Sequence, residues 1–302
     1  MPSTVRAAGV IDSTSATDQF VAHRNLLFTV AYEMLGSAAD AEDVLQETWL
    51  RWAGVDHETV RDPRAYLVRI TTRLSLDRLR TLARRRETYV GPWLPEPLLT
   101  APDVADDVAL ADSVSMAMLV VLETLSPTER AVFVLREVFD IGYVEIAEAV
   151  DKTPAAVRQI AHRARQHVEE RRPRSSVTER QRAEVLERFR WAAETGDVQS
   201  LLDVLSPDVV LVTDGGGLKK AALRPILGRD KVLRLMAGMG NGGIDRTEVH
   251  QVNGAPGISL FVGDELEAVL TLLIEDDLVT GLYLVRNPEK LLRLGEEVPL
   301  TR

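Results

Sequence analysis

Between residues 212 and 221 the chain reads VTDGGGLKKA. Three glycines between a β-branched run and two lysines raise phosphate binding first. A P-loop needs G-x-x-x-x-G-K-[ST], so that backbone N–H groups cradle the phosphates and a hydroxyl reaches Mg²⁺. Here the glycines are consecutive, and Ala221 follows Lys220 where the hydroxyl is required. The segment predicts a turn after a strand instead, with glycine supplying positive φ. Asp214 and His250 are the remaining groups with acid–base potential. An Asp before Gly is ordinary turn chemistry, and His250 falls on an expected strand. No catalytic residue is assigned. His23, His57, His162, His167 and His250 show no metal-ligand spacing, so no metal and no cofactor is expected. The chain has no cysteine, which removes disulfides, thiolate metal sites and cysteine nucleophiles together.

The second group with chemistry is arginine, and its distribution matters more than the total. The 302 residues carry a net charge of −10, which taken alone argues against nucleic acid. Yet residues 61–100 hold 9 Arg against 4 acids, and residues 152–174 hold 7 basic residues against 2 acids. Two compact basic blocks sit in an acidic chain. Nucleic acid responds to such local patches, because counterion release depends on which phosphates are neutralised.

The elements that position these blocks are mostly helical. Residues 20–53 read as helix, and ADAEDVLQETWLRW places Ala41, Val44, Leu45, Thr48, Trp49 and Trp52 on one stripe. Asp62 and Pro63 open a second long helix, DPRAYLVRITTRLSLDRLRTLARRR, which keeps Leu67, Ile70, Leu74 and Leu79 for packing. Residues 89–112 contain four prolines and a run of acids and read as a linker. Ser126-Pro127-Thr128-Glu129 is a capping box. After it, IGYVEIAEAV, a break at DKT and PAAVRQIAHRARQHVEER form a helix-turn-helix. Its second helix buries Val157, Ile160, Ala161, Ala164 and Val168, and turns Arg158, Gln159, His162, Arg163 and Gln166 outward. Beyond residue 178 the texture changes. An amphipathic helix over 178–195 and a short helix at VQSLLDVLS precede strands at VVLVTD, TEVHQVNG, PGISLFVG, EAVLTLLIED and LVTGLYLVRN, an α+β pattern. The N-terminus lacks the apolar core of a signal peptide, and no apolar run approaches the roughly 20 residues of a membrane helix. A cytoplasmic protein with no membrane partner is expected.

In order, the acidic tryptophan helix, the arginine helix, the linker and LSPTERAVFVLREVFDIGYVEIAEAVDKTPAAVRQIAHRAR closely resemble the extracytoplasmic-function (ECF) sigma factors of bacterial RNA polymerase. These are transcription initiation factors rather than enzymes, associated with stress responses. The resemblance implies sigma region 2 over 20–90 and region 4 over 113–173, with a linker at 91–112 and a flexible N-terminus at 1–19. It implies that Asp43, Gln46, Glu47 and Trp49 dock on the polymerase clamp helices, with the flap as a further polymerase contact. Arg64, Arg69, Arg73, Arg78 and Arg80 match the helix that meets the −10 element, where the 53–62 loop would accept an unstacked base. Arg158, Gln159, His162 and Arg163 match the helix that enters the −35 major groove.

WLPEP at 93–97, DGGG at 214–217 and NPEKL at 287–291 resemble one subgroup, the SigJ-type factors. The subgroup pattern is closer to DGGGK and NPDKL; here Leu218 separates the glycines from Lys219, and Glu289 replaces Asp. The resemblance implies that residues 178–302 form a SnoaL-like domain of the nuclear-transport-factor-2-like class. The expected architecture is two all-α modules plus an α+β domain that regulates them in cis. Trp93, Leu94 and Pro95 of the linker are expected to meet Asp214, Gly215, Gly216 and Gly217, with Asn287 and Pro288 in the same regulatory set. The alternative is a DNA-binding regulator whose C-terminal domain is a small-molecule receptor or SnoaL-like enzyme. An unidentified small molecule in that domain is therefore carried as a further partner beside polymerase core and promoter DNA.

Overall fold

The computed structural model describes residues 11–101, 104, 107–172, 177–239, 244–295 and 297–302. In chain order the helices are α1 (Ile11–Leu35), α2 (Ala38–Ala53), α3 (Pro63–Arg86), α4 (Val108–Val114), α5 (Met116–Leu122), α6 (Pro127–Phe133), α7 (Tyr143–Val150), α8 (Pro154–Glu169), α9 (Glu179–Thr195), α10 (Val198–Val204), α11 (Arg229–Met239) and α12 (Pro288–Leu291). The strands are β1 (Leu205–Asp214), β2 (Ile226–Leu227), β3 (Arg246–Val252), β4 (Ala255–Val262), β5 (Glu265–Glu275) and β6 (Leu278–Val285). The chain divides into two compact units: Met1–Arg80 with Pro127–Ala164 and Leu300–Arg302, and Thr81–Ser126 with Arg165–Pro299.

The first unit is helical. The stretch expected as one helix over 20–53 is two, because Gly36 turns at φ 67° and Ser37 then caps α2 by accepting the Asp40 N–H. Helix α1 begins at Ile11, so only residues 1–10 of the stretch expected to be flexible lie outside the described residues. Ala16 is buried, and its carbonyl accepts the indole N–H of fully buried Trp52 at 2.9 Å. Asp62 caps α3 through the Ala65 N–H at 3.0 Å. Helix α6 runs on as a π-helical turn, Val134–Val138. Arg130 of α6 is 2% exposed and donates from Nε to the Glu33 carbonyl of α1 at 2.8 Å. Burial pushes its guanidinium down to about 9, against the opposing charge of Glu33. The helix-turn-helix follows from local chemistry. Asp151 in the left-handed region (φ 55°) ends α7, and Thr153 accepts the Ala156 N–H ahead of Pro154 at the start of α8.

The second unit is built on a six-stranded sheet of order β2-β1-β6-β5-β4-β3, with only the β1–β6 pair parallel. Both faces of the sheet are covered. Helices α9, α10 and α11 cover one face through Val185, Leu186, Phe189, Leu201 and Val232, packed on Val209, Leu211, Ile258, Leu270 and Leu282. The other face carries Val252, Val269 and Val285, and its cover includes Leu94 from the segment read as a linker and Met116 from the start of the segment read as region 4. A sheet apolar on both faces must be covered on both. Residues 94–98 are accordingly buried.

Candidate nucleic-acid interface and linker clasp

The face expected to meet the −35 groove is present on α8: Arg158, Gln159, His162 and Arg163 are all exposed, while Val157, Ile160, Ala161 and Ala164 form the buried stripe. The Arg158 guanidinium lies 5.7 Å from the ring centroid of Tyr143 at the start of α7, and Arg136 lies 5.0 Å from it. That aromatic surface restricts where Arg158 can point.

The arginines of α3 divide by partner. Arg64 is exposed. Arg80 pairs with Asp77 at 2.9 Å, one turn away. Arg78 reaches back to α2, donating to Asp40 at 2.7 Å and to Asp43 at 3.0 Å. Asp43 thus supports α3 as well as standing on the exposed face of α2 with Gln46 and Glu47. Glu47 pairs with Arg51 at 2.7 Å, and half-buried Trp49 packs its ring 5.3 Å from Phe20. Arg69 donates to the Glu148 carboxylate of α7 at 3.0 Å, and Arg73 donates to the Glu148 carbonyl at 2.7 Å. One residue of the helix-turn-helix therefore occupies two arginines of the helix expected to meet the −10 element. In the 53–62 loop, His57 stacks on Trp52 with ring centroids 4.4 Å apart.

In the second unit, three motifs spread over residues 93–291 converge on one carboxylate. Asp214, at the end of β1, is fully buried. Its Oδ1 accepts from the Tyr89 hydroxyl at 2.7 Å and the Gly216 N–H at 3.0 Å. Its Oδ2 accepts from the Leu94 N–H at 2.8 Å and from Lys290 Nζ at 2.7 Å. Lys290 also donates to the Leu94 carbonyl, so together with Asp214 it satisfies both backbone groups of Leu94. Pro95 and Pro97 bring no N–H to be satisfied, which lowers the cost of burying an extended segment. Trp93 takes cations on its ring: Lys290 Nζ lies 4.0 Å and the Arg86 guanidinium carbon 3.8 Å from the centroid. Burial pushes Lys290 down to about 8, with Asp214 holding it up. Burial, then the Asp214 hydrogen bond, raises Tyr89 well above the usual phenol range.

The glycines are explained by space. A Cβ on Gly215 would lie 2.2 Å from the Lys219 carbonyl oxygen. Gly216 (φ 60°) lies against Asn287 and Tyr89, where a Cβ would come within 2.3 Å of Asn287 Nδ2. A Cβ on Gly217 (φ 75°) would come 3.2 Å from Val90. The turn closes on itself through the Leu218 and Lys219 N–H groups, both bonded to the Gly215 carbonyl. Inserted Leu218 leaves Lys219 pointing to Glu267, which it pairs at 2.7 Å. Asn287 donates to the Tyr89 hydroxyl at 2.9 Å and caps α12 with Pro288 in first position.

Further along, Asn253 holds the linker again. It accepts the Leu98 N–H at 3.1 Å and donates to the Val114 carbonyl at 3.0 Å. Among the groups that the sequence reading weighed for catalysis, Asp214 has both oxygens taken by four donors, and His250 pairs with Glu248 at 3.1 Å on β3. Sequence reasoning passed over Tyr89, Arg86 and Asn253 as site residues. Lys290 lies inside the quoted NPEKL motif but was given no role. Nothing local marks Tyr89, because its partners Asp214 and Asn287 lie 125 and 198 residues away.

Comparison with known proteins accounts for the two basic modules. The Sigma-70 region 2 model matches residues 20–85 and the Sigma-70 region 4 model matches residues 115–168. The chain is 37% identical over 288 residues to ECF RNA polymerase sigma factor SigJ of Mycobacterium tuberculosis, covering 90% of this chain and 92% of SigJ. It is 33% identical over 280 residues to probable ECF RNA polymerase sigma factor SigI of the same organism, covering 92% and 95%. The crystal structure of M. tuberculosis SigJ superposes with a TM-score of 0.75 at 34% identity, covering 92% of this chain and 99% of that one. Two helical sigma modules followed by a mixed α/β domain are thus common to both, and the chain belongs to the extracytoplasmic-function family of RNA polymerase sigma factors.

Proposed function

We propose that the chain starts transcription by bringing RNA polymerase core to a −10/−35 promoter, and that its C-terminal domain regulates this in cis through the linker. The sigma function rests on the family; such a factor works in the cytoplasm and is not an enzyme. Among the described residues no helix is long and apolar enough to cross a membrane. Asp43, Gln46, Glu47 and Trp49 face polymerase; Arg64, Arg69, Arg73, Arg78 and Arg80 serve the −10 element; Arg158, Gln159, His162 and Arg163 serve the −35 element. The C-terminal domain is SnoaL-like, on the strength of the WLPEP, DGGG and NPEKL motifs, two of which it carries, and of its helix-covered sheet.

The observation that carries the regulatory reading is the Asp214 clasp. The linker joins the end of α3, the −10 helix, to region 4, and the C-terminal domain bonds that linker at Tyr89, Leu94 and Leu98. Holding the linker in one course fixes how far and in which direction the modules can move, a role that separate anti-sigma proteins play for other members. Run-off transcription with polymerase core tests this. Truncation at about residue 175 and the point variant Asp214→Asn are both expected to change the initiation rate in the same direction. Unchanged initiation by both would exclude regulation through the clasp, and failure of the full chain to initiate would exclude the sigma reading.

A further inference from the structure

Within the first unit, the four outward residues of α8 are not equivalent. Arg158, Gln159, His162 and Arg163 are all exposed. Among the described residues, Gln159, His162 and Arg163 make no side-chain hydrogen bond, ion pair or ring contact, whereas Arg158 lies over the Tyr143 ring, 5.7 Å from its centroid. Tyr143 is itself held. It is half-buried at the start of α7, and Arg136 lies over the same ring at 5.0 Å. Arg136 is fixed in turn, pairing with Asp140 at 2.7 Å and donating to the Ile141 carbonyl at 3.2 Å. A chain of contacts thus runs from the turn before α7 to one arginine of the −35 face. The ring contact spends none of the N–H donors of Arg158.

On the promoter-binding reading given above, we propose that Arg158 reads a base of the −35 element, that this base is a guanine, and that Tyr143 is the positioning residue behind the preference. Base recognition and phosphate binding make different demands. A phosphate accepts a cation from many directions, so a mobile side chain serves. A base edge is read only at a narrow distance and angle. Arginine has many rotamers, and fixing one of them at the moment of binding costs affinity. A side chain already held over a ring pays less of that cost and keeps its aim. Placement along the helix agrees. Arg158 lies in the second turn of α8 (Pro154–Glu169), ahead of His162 and Arg163, and the N-terminal part of a recognition helix is the part that meets base edges. Guanine presents two acceptors in the major groove, O6 and N7, and these match the guanidinium fork.

The test is selection from a promoter library randomised across the −35 element, with the full chain assembled on polymerase core. The natural chain is expected to enrich guanine at one position by about 5- to 150-fold over other bases. Arg158→Lys keeps the charge and loses the fork, so that preference is expected to disappear while preferences at the other positions persist. Arg158 is exposed, so this variant folds whatever Tyr143→Leu does. Tyr143→Leu is expected to weaken the preference at the same position about two- to five-fold, and Tyr143→Phe, which keeps the ring, to leave it at the natural level. Adding Tyr143→Leu to Arg158→Lys is expected to change nothing further at that position, since the two residues act as one unit. A purely structural role for Tyr143 would lower preference at every position together. Guanine preference retained in Arg158→Lys, a base other than guanine at the Arg158-dependent position, or a Tyr143→Leu effect that is absent or spread equally over all positions would overturn the proposal and leave the promoter reading standing. No enriched −35 sequence with the natural chain would overturn both.

Discussion

Replacing Asp214 by Asn keeps the shape of the clasp and removes its charge. The side chain is fully buried and serves four donors. An amide has one oxygen, so its NH2 group must face either Tyr89 and Gly216 or Leu94 and Lys290. A backbone N–H then meets a donor in either orientation. Lys290, whose side chain is 12% exposed, loses its counter-ion at the same time. Removing one partner of a buried pair costs about 3–5 kcal/mol. Burial already lowers Lys290 to about 8, and losing Asp214 lowers it further, so deprotonation relieves part of the penalty and places the cost near the lower end. About 3 kcal/mol is roughly a 150-fold loss in the folding equilibrium of the C-terminal unit. Urea unfolding followed by tryptophan fluorescence reads this, because Trp93 sits on Lys290 in the clasp whereas Trp49 and Trp52 belong to the other unit. Lys219→Ala is the control: Lys219 is 42% exposed, and its pair with Glu267 is expected to be worth under about 1 kcal/mol. A loss below about 1 kcal/mol for Asp214→Asn, or one no larger than the control, would refute the view that this carboxylate organises the linker.

Three further outcomes follow from the same geometry. Lys290 is held at about 8 against 10.5 in the unfolded chain, so the unfolded state binds more protons between these values and the C-terminal unit gains stability, up to about 3 kcal/mol, as pH rises from 8 toward 10.5. Tyr89 is shifted upward, so ionisation of the unfolded phenol opposes this above pH 10; urea midpoints at pH 7.5, 8.5 and 9.5 should rise in the natural chain and stay flat in Lys290→Met. Glu148→Gln frees Arg69 of a partly exposed ion pair worth up to about 1 kcal/mol, so promoter binding by the polymerase-free protein should strengthen roughly two- to five-fold with the fold intact; unchanged binding would remove Arg69 from the DNA face. Arg163→Ala should lower the slope of log affinity against log salt by about 0.9 if the residue meets phosphate, and should instead relax sequence preference if it meets a base edge.

Local rules carried much of this protein. The buried stripe of α8, Pro154 at its start and the outward Arg158, Gln159, His162 and Arg163 are consequences of helical period and capping, readable within 20 residues. The strands of the C-terminal domain were legible for the same reason, whereas the two-residue β2 has too short a pattern to register. The turn at 214–217 was legible as a turn, because consecutive glycines mean positive φ or close approach. What it approaches was a matter of tertiary structure. Asp214 before glycine looks like turn chemistry, yet its partners Tyr89, Leu94 and Lys290 lie 125, 120 and 76 residues away. Proline-rich, acidic residues 89–112 have the composition of a free linker. They are buried at Leu94 and Leu98 because the sheet of the C-terminal domain has a second apolar face to cover, a demand set by atoms that only folding brings near. The sequence by itself determined which helices and strands form and which faces carry charge, since those depend on neighbours three or four residues away. Tertiary structure alone decided that the linker belongs to the C-terminal unit and that Glu148 occupies Arg69 and Arg73, because burial and charge pairing depend on distance in space, not along the chain.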